Sequence, residues 1–413
     1  MNANPQLMTA VEQLGYRVTC GDVATQTGIR IEAARSGLLA LANQTGGHLQ
    51  VTDTGEVIYV LSPDFRRILL RKSVKLQLKA WLDRFSAVGF YLVKISFGIF
   101  LITSISVVYL TILAIALSAI FSSEGGGDCG DDNCVLGIFD WGGTSSNSAN
   151  LPTSTATSQL EPIRAKTQRK PLNFLEAVFS VLFGDGNPNT DLEQRRWSYI
   201  GNLIHRQRGV AIAEQIAPYL DDLGQGYDRE YENYMLPVLT KFNGIPEVSP
   251  TGQLVYHFPD LQTTLKDAPD RSSRVPKSLR ERKWKFTKAT PEQTNWSIAL
   301  FAANLVGIGV LALLLKGLVS SWIVGALVIL ALYGAGLVII PSCRYFWVKA
   351  QDRQVRQRNH FRHQQANLLQ QNGEVQAKLD YAQQFAKQYR ITDRDIIYTT
   401  EEDALSQEFK RLE

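Results

Sequence analysis

Long apolar runs constrain this chain of 413 residues more than any other feature. Residues 296–315 and 322–340 contain no charged side chain, and only six residues separate the two runs. About 20 apolar residues cross a hydrocarbon core of ~30 Å. The two runs therefore predict a transmembrane helical hairpin over 296–340, and Pro341 is predicted to end its second helix.

An earlier apolar run, residues 87–121, contains a single charge, Lys94. Basic residues precede it in a predicted juxtamembrane helix, 66–86, and others lie in a basic linker, 261–295. Because cytoplasmic flanks of membrane helices carry an excess of Lys and Arg, both flanks are predicted to be cytoplasmic. A tight helical hairpin that turns near 103–106 satisfies this and is favoured over a single crossing, although each leg would have only about 17 residues.

Two distant segments share one short β-pattern: VTDTGEVIYVL at 51–61 and VSPTGQLVYHF at 248–258. A shift of 197 residues aligns them without a gap and extends the match into the preceding residues. We interpret the match as an internal duplication. The alternative is two unrelated hairpins that share a common turn type. The aligned pairs are Leu39 and Leu236, Gly47 and Gly244, Val51 and Val248, Thr54 and Thr251, Gly55 and Gly252, and Tyr59 and Tyr256.

The residues around each copy predict three small helices followed by a β-hairpin. In 1–65, apolar residues recur at helical spacing, Gly28 and Gly46 are placed to end helices, and Gly55 suits the hairpin turn. The same plan recurs within 172–260. The predicted fold class is therefore α+β: two winged-helix domains joined through membrane-spanning α-helices, with a helical C-terminal tail.

Three further segments lie outside these domains. Residues 122–171, rich in small and polar residues, are predicted to be a disordered linker. The apolar run 174–183 predicts a short helix, either in the membrane interface or against the second winged helix. Residues 341–413 predict a cytoplasmic helical tail, with a last helix over 401–411. Its heptad-spaced residues predict a partner helix, and through it a homo-oligomer: Leu368, Val375, Leu379, Ala382, Ala386 and Tyr389.

Winged helices commonly bind DNA, which requires cations on the third helix. The first copy offers Arg30 and Arg35 there, but the second, YDREYENYMLPVLTKF, carries more acidic than basic residues. This charge pattern disfavours DNA and favours a protein partner in the membrane or the cytoplasm. The candidate interaction residues are Arg30, Arg35, Tyr59, Tyr231, Tyr234 and Tyr256.

The sequence shows no catalytic constellation, so we expect a protein that is not an enzyme and holds no cofactor. Four cysteines and five histidines are scattered along the chain. Cys129 and Cys134, in DCGDDNC, are open to three interpretations: a metal pair, a disulfide or a plain loop. A structural zinc site or an iron–sulfur cluster usually has four protein ligands, so these two are the remaining metal candidates.

Several strings resemble a known family. They are GFYLVKISFGIFLI at 89–102, FLEAVFSVLFGDGNPN at 174–189, AEQIAPYLD at 213–221 and MLPVLTKFNGIPEVSPTGQLVYHFP at 235–259. They are similar to a membrane-protein family of cyanobacteria and chloroplasts whose members are often labelled iron-sulfur cluster biosynthesis proteins. The resemblance implies a photosynthetic host, a thylakoid location and a role in cofactor assembly.

The leading hypothesis is an integral membrane adaptor or assembly factor that displays tandem winged helices to a protein partner. The soluble domains are expected on the cytoplasmic, stromal-side face of a thylakoid or plasma membrane, since the first residues show no signal or transit pattern. The alternatives are a membrane-linked factor in iron–sulfur cofactor assembly and a membrane-tethered DNA-binding regulator.

Overall fold

The computed structural model describes residues 4–72, 74–121, 173–265, 275–315, 321–371, 373–402 and 407. The chain forms two compact units: unit 1 contains helices and strands, and unit 2, over the residues described, contains helices only. Unit 1 comprises Met1–Tyr91, Gly186–Phe286 and Arg344–Glu413, and unit 2 comprises Leu92–Asp185 and Thr287–Cys343. The expectations for the linker at 122–171, including Cys129 and Cys134, lie outside the described residues.

Unit 1 begins with a module of three helices and three strands, which we call the first module. The Asn4 side chain accepts a hydrogen bond from the Gln6 amide at 3.0 Å and starts the first helix. Thr19 caps the second helix in the same way, through the Asp22 amide at 3.1 Å. The elements are α1 Pro5–Gln13, β1 Arg17–Thr19, α2 Cys20–Thr27, α3 Ile31–Thr45, β2 His48–Thr52 and β3 Val57–Val60.

After α4, Phe65–Lys72, the chain forms a single long helix, α5, Val74–Phe121. The prediction of a tight helical hairpin over 87–121 is therefore wrong. Residues 103–106 contain neither Gly nor Pro, and a turn there would break backbone hydrogen bonds that apolar surroundings cannot replace. Hydroxyl residues fit the continuous helix by bonding to it: Thr111 Oγ1 donates to the Val107 carbonyl at 2.7 Å.

The short apolar helix α6, Phe174–Phe183, belongs to unit 2. A capping box at Asn173 begins it. Its aromatic side chains pack on Phe97 of α5, with ring centroids 5.7 Å apart for Phe179 and 4.8 Å for Phe183. The structure therefore shows α6 packed against another apolar helix. Neither of the two predicted environments, the membrane interface or the second winged helix, included this contact.

The second module follows in unit 1 and consists of four helices and three strands. The helix before its hairpin begins only at Leu236, because Glu232 has a left-handed backbone with φ +54° that no helix continues. Pro237 then suits the first turn. The elements are α7 Leu192–Arg206, β4 Val210–Ala211, α8 Ala213–Ile216, α9 Tyr227–Glu230, α10 Leu236–Phe242, β5 Ile245–Val248 and β6 Leu254–His257.

The rest of the chain contains three helices and three strands: β7 Thr263–Leu265, α11 Pro291–Leu314, α12 Ser321–Gln371, α13 Gly373–Ala382, β8 Tyr389–Ile391 and β9 Ile396–Thr399. Pro341 lies inside α12, so the prediction that it ends the helix is wrong. A proline removes one hydrogen bond, whereas ending the helix there would expose several backbone groups. Glu401 and Glu402 are not helical, so the predicted helix 401–411 does not begin there.

Over the described parts of the chain, three helices are long and apolar enough to cross a membrane: Val88–Ile120, Pro291–Leu314 and Val324–Leu369. A capping box formed by Thr290 and Gln293 starts α11. Asn304 of α11 is fully buried, and its Nδ2 donates to Ser104 Oγ of α5 at 3.0 Å. Tyr109 donates through its hydroxyl to the Ala303 carbonyl at 3.1 Å. Such polar contacts set how apolar helices pack on one another.

The strands form three sheets. The largest has the order β1-β3-β2-β9, the second β4-β6-β5, and β7 pairs with β8 in parallel. In both larger sheets the strand before the hairpin pairs antiparallel with the second hairpin strand. Each module therefore has one strand between its first two helices and a hairpin after its last helix, and these strands form one sheet.

Candidate interaction site

The hairpins of the two modules have the same turn geometry. Thr52 Oγ1 lies 2.8 Å from Thr54 Oγ1, and Ser249 Oγ lies 2.8 Å from Thr251 Oγ1. Gly55 and Gly252 both have φ +81°, a left-handed conformation that glycine adopts at little cost. The strands β2 and β3 reappear as β5 and β6 at the 197-residue shift, so the predicted register of the hairpins agrees with the structure.

The two modules share one hydrophobic core. Val11, Ile31 and Leu38 of the first module belong to the same buried cluster as Ile200 and Phe258 of the second. The helix α2 packs along α7 so closely that a Cβ added at Gly201 would lie 3.1 Å from the Thr25 Cα. Because neither module covers this surface by itself, the pair forms one body in a single compartment.

The candidate interaction residues separate into exposed and buried groups. Arg30 and Tyr231 are exposed, and Arg35 is largely exposed but lies 4.0 Å from Asp260 of the second module. Tyr59 and Tyr256 are each only 3% exposed. The expectation that these last two contact a partner is therefore wrong, because alternation along the hairpin strand turns both side chains into the core.

Tyr234 is half-buried, and burial raises its pKa. The hydroxyl of Tyr256 donates to Glu232 Oε2 at 2.7 Å. Near them, Tyr227 stacks on Tyr231 with centroids 6.1 Å apart, and these two rings are 76% and 62% exposed. Tyr231 is thus the predicted tyrosine that retains a large exposed surface, and Tyr227 is a residue that the sequence reasoning missed.

The tail packs on both modules. Val375 and Ala382 of α13 are buried against Ile212 and Val255 of the second module. The heptad-spaced residues at these positions therefore contact their own chain, whereas the sequence predicted a contact with a partner helix. Tyr389, the last of the predicted heptad positions, lies in strand β8 and pairs with Thr263.

Strand β9 continues the sheet of the first module. It pairs with β2, with Val51 opposite Tyr398 and a bulge before Thr52. Beyond the strand, the Leu49 amide donates to Thr400 Oγ1 at 2.8 Å, and the Thr400 amide donates to the Leu49 carbonyl at 2.9 Å. The tail thus covers a sheet edge that would otherwise be open to another strand.

The equivalent edge strand of the second module, β5, makes different contacts with the tail. Pro246 occupies the position of Leu49 at the 197-residue shift and has no amide proton. The Val248 carbonyl accepts a hydrogen bond from the Tyr381 hydroxyl at 3.4 Å. Pro246 therefore cannot donate to a tail strand as the Leu49 amide donates to Thr400, and proline is typical of an edge strand that is not extended.

Replacing Leu49 with proline is expected to release β9 from the first module. The substitution removes the donor to Thr400, while Leu49→Ala keeps it and serves as the matched control. Amide hydrogen exchange of residues 396–400 reports the change, and we expect protection to fall on the order of tenfold in the proline variant, as for the loss of about one net hydrogen bond. Equal protection in both variants would contradict the role of this amide.

A buried charge network joins the tail helix to the second module. Arg362 of α12 is 0% exposed and pairs with Asp221 and, at 2.8 Å, with Glu281. Arg358 binds the same Glu281 through two bonds of 2.8 and 2.7 Å. Arg196 of α7 is a second partner of Asp221. Buried charges are tolerated only when paired in this way.

A second network lies beneath α13. Lys378 is almost fully buried and lies 3.0 Å from Glu214 and 2.5 Å from Glu232. The same Glu232 accepts from Tyr256, so its left-handed backbone places one carboxylate between the tail and the hairpin of the second module. The strained conformation is thus compensated by specific contacts.

Burial alone would raise the pKa of Asp221, but the hydrogen bond from Arg362 and the charges of Arg196 and Arg362 outweigh it and lower the pKa. The pKa of Glu281 is lowered in the same way, against burial, by the hydrogen bond from Arg358 and the charge of Arg362. Both carboxyls are therefore ionised at neutral pH and stabilise the folded state.

Among the residues that the structure describes, no group of three His, Cys, Asp or Glu residues is placed to hold a metal ion. Burial raises the pKa of Cys20, so its thiol is a weak nucleophile. A cavity lined by Arg206, Tyr219 and Leu369, among others, has a volume of 180 Å³, whereas ligand pockets typically have about 300–1,000 Å³.

The described residues define a mostly helical protein of mixed helix and sheet, in which three helices are long and apolar enough to cross a membrane. The chain belongs to the family of the Arabidopsis thaliana protein named "Uncharacterized protein At5g03900, chloroplastic". The two are 34% identical over 425 residues, which cover 98% of this chain and 80% of that protein. No family model and no solved structure matches the chain.

The printed name of the relative places that protein in the chloroplast and mentions no iron–sulfur cluster. The resemblance to a chloroplast family is thereby supported, while the iron–sulfur label stays a prediction. Its two candidate ligands, Cys129 and Cys134, lie outside the described residues.

Proposed function

We propose that the protein is an integral adaptor of a photosynthetic membrane, with two winged-helix modules that bind a protein partner. In this proposal unit 2 lies in the membrane, and unit 1 lies on its stromal or cytoplasmic face. The chloroplast location carried in the name of the relative supports the compartment. The three apolar helices support the anchor.

The order of elements supports the winged-helix assignment: each module has a strand after the first helix and a hairpin after the last, and the second module contains one additional short helix, α9. The matching hairpin turns support the interpretation as a duplication. Because both modules contribute to one core, they function as a single rigid platform rather than as two independent domains.

The observation that carries the proposal is the exposed Tyr227–Tyr231 stack. Tyrosines of this kind are enriched in protein interfaces because they bury a large area at a small entropic cost. Leu236 is also exposed a few residues further on. The surrounding Asp228 and Glu230 are exposed as well, so the surface suits a partner with apolar and basic side chains.

The test is affinity capture from detergent-solubilised membranes with the tagged full chain, because deletion of one module would expose the shared core. Tyr227→Ser with Tyr231→Ser, and separately Leu236→Ser, remove the proposed contacts. We expect partner recovery to fall on the order of tenfold or more, as for interface hot spots. Leu39→Ser is the matched control, since Leu39 is exposed at the equivalent position of the first module.

Undiminished recovery with both second-module variants would exclude this surface. Loss with Leu39→Ser alone would move the site to the first module, where Arg30 and Arg35 lie on or beside α3. The alternative of DNA binding would then regain support, since those two cations were its basis. Arg35 is already paired with Asp260, which lowers the charge available for a phosphate.

A further inference from the structure

The segment 279–286 runs antiparallel along α12 within unit 1. The Leu279 carbonyl accepts from Arg362, and the Glu281 carboxylate accepts from Arg358. Trp284 then packs on Trp347 with centroids 5.1 Å apart, and Phe286 packs on Tyr345 at 6.2 Å. The contacts thus progress from the charge network to aromatic side chains as the segment approaches residue 286.

These aromatic residues adjoin the apolar helices in sequence. Residue 286 precedes α11 by a few residues, and Arg344 directly follows the apolar part of α12. Arg344 lies 4.6 Å from the Phe286 ring and donates to the Phe286 carbonyl, which ties the two chain segments together. Trp and Tyr at such positions are typical of the water–membrane interface.

Three lysines occur at the same place. Lys283 and Lys285 alternate with Trp284 and Phe286, so their side chains are exposed while the aromatic rings face α12. Lys349 is exposed on the next turn of α12 after Tyr345, 5.8 Å from that ring. Neighbouring cations are engaged, as Arg282 is with Asp191 at 2.9 Å, but the structure shows no carboxylate paired with these three lysines over the ranges it describes.

We propose that Lys283, Lys285 and Lys349, with Trp284 and Trp347 between them, bind the headgroups of anionic lipids. The tryptophans fix the depth in the interface and the ammonium groups neutralise the lipid charge. This proposal rests on the membrane placement in the proposed function and not on the adaptor role. The expected ligand is a lipid with a single negatively charged headgroup, and phosphatidylglycerol is the probe for it.

The full chain is purified in detergent and equilibrated with equal amounts of phosphatidylglycerol and phosphatidylcholine, and native mass spectrometry measures the ratio of bound lipids. Each lysine near a membrane surface contributes about 1 kcal/mol, so K283Q/K285Q/K349Q is expected to lose anionic enrichment by up to about 100-fold at low salt. K387Q/R390Q/R394Q is the matched control, since it removes the same charge from exposed tail positions.

Anionic enrichment that is absent in the wild type, or equal in the two triple variants, would overturn the proposal. Displacement of bound phosphatidylglycerol by free glycerol 3-phosphate would also overturn it, because the site would then recognise a soluble phosphate. Extraction of membranes with alkaline carbonate distinguishes a failure of the membrane placement from a failure of the lipid site. Release of the protein contradicts the membrane placement, whereas retention without anionic enrichment contradicts the lipid site alone.

Discussion

Replacing Arg362 with methionine is expected to destabilise unit 1 by about 3 kcal/mol, because the change removes one of the two arginines that pair with each of Glu281 and Asp221. Arg362 is fully buried, and Glu281 beside it is 3% exposed. Methionine keeps most of the apolar volume of the side chain, so the effect reports the charge rather than a cavity. Guanidinium chloride unfolding of the detergent-solubilised chain, followed by tryptophan fluorescence, measures the change.

Arg356→Met is the matched control on the same helix. Arg356 is exposed and pairs with Asp352 at 3.1 Å across one turn, and such surface pairs contribute less than about 1 kcal/mol. An Arg362→Met variant as stable as this control would show that the network does not join α12 to the second module.

The difference in stability between the wild type and Arg362→Met is expected to depend on pH. The pKa values of Asp221 and Glu281 lie below their ordinary values of 3.8 and 4.5 in the folded state. Their stabilisation is therefore fully present above the ordinary values and is lost as the pH falls through the lowered ones. We expect the stability difference between wild type and Arg362→Met to be constant near neutral pH and to shrink below about pH 4.

Replacing Gly28 with alanine is expected to cost about 2–4 kcal/mol and to loosen the contact between the two modules. Gly28 ends α2 with φ +71°, and a Cβ there would lie 2.7 Å from Trp197 Cβ and 3.0 Å from the Gln194 carbonyl oxygen. The cost combines a left-handed alanine with an overpacked interface. Unfolding free energy and protease sensitivity of the full chain measure both parts.

Gly46→Ala isolates the first part of that cost, the left-handed alanine. Gly46 ends α3 with φ +70° and has nothing within 4 Å of the added Cβ, so only the backbone term of about 1–2 kcal/mol applies. Equal destabilisation by the two substitutions would mean that the modules do not pack through α2 and α7 as described.

Local chemistry made several features predictable. The hairpins could be placed because Gly55 and Gly252 take a left-handed turn between alternating apolar residues, which depends on neighbours in sequence alone. The apolar helices followed from length and composition. Flanking charge misled at 87–121: the basic flanks predicted a hairpin in spite of its short legs, whereas these residues form one continuous helix.

For the candidate residues, the sequence indicated the residue types better than it indicated whether each side chain points into the core or towards the surface. Tyr59 and Tyr256 were predicted to contact a partner because they recur in both copies, yet they recur as core residues. Tyr227 carried no such repeat and was missed, although it stacks on Tyr231. The i, i+4 spacing of Arg358 and Arg362 on one helix face was a usable signal for the network, but their acidic partners are distant in sequence.

The sequence alone determined the hairpin turns, the ends of α2 and α3 and the apolar helices, since each depends on a few adjacent residues. Tertiary structure alone decided that the tail closes the first sheet and that Arg362 is buried. Pairing β9 with β2 joins residues almost 350 positions apart. Such contacts depend on which surfaces meet after folding, because the sheet edge and the buried charges gain partners only when the whole chain encloses them.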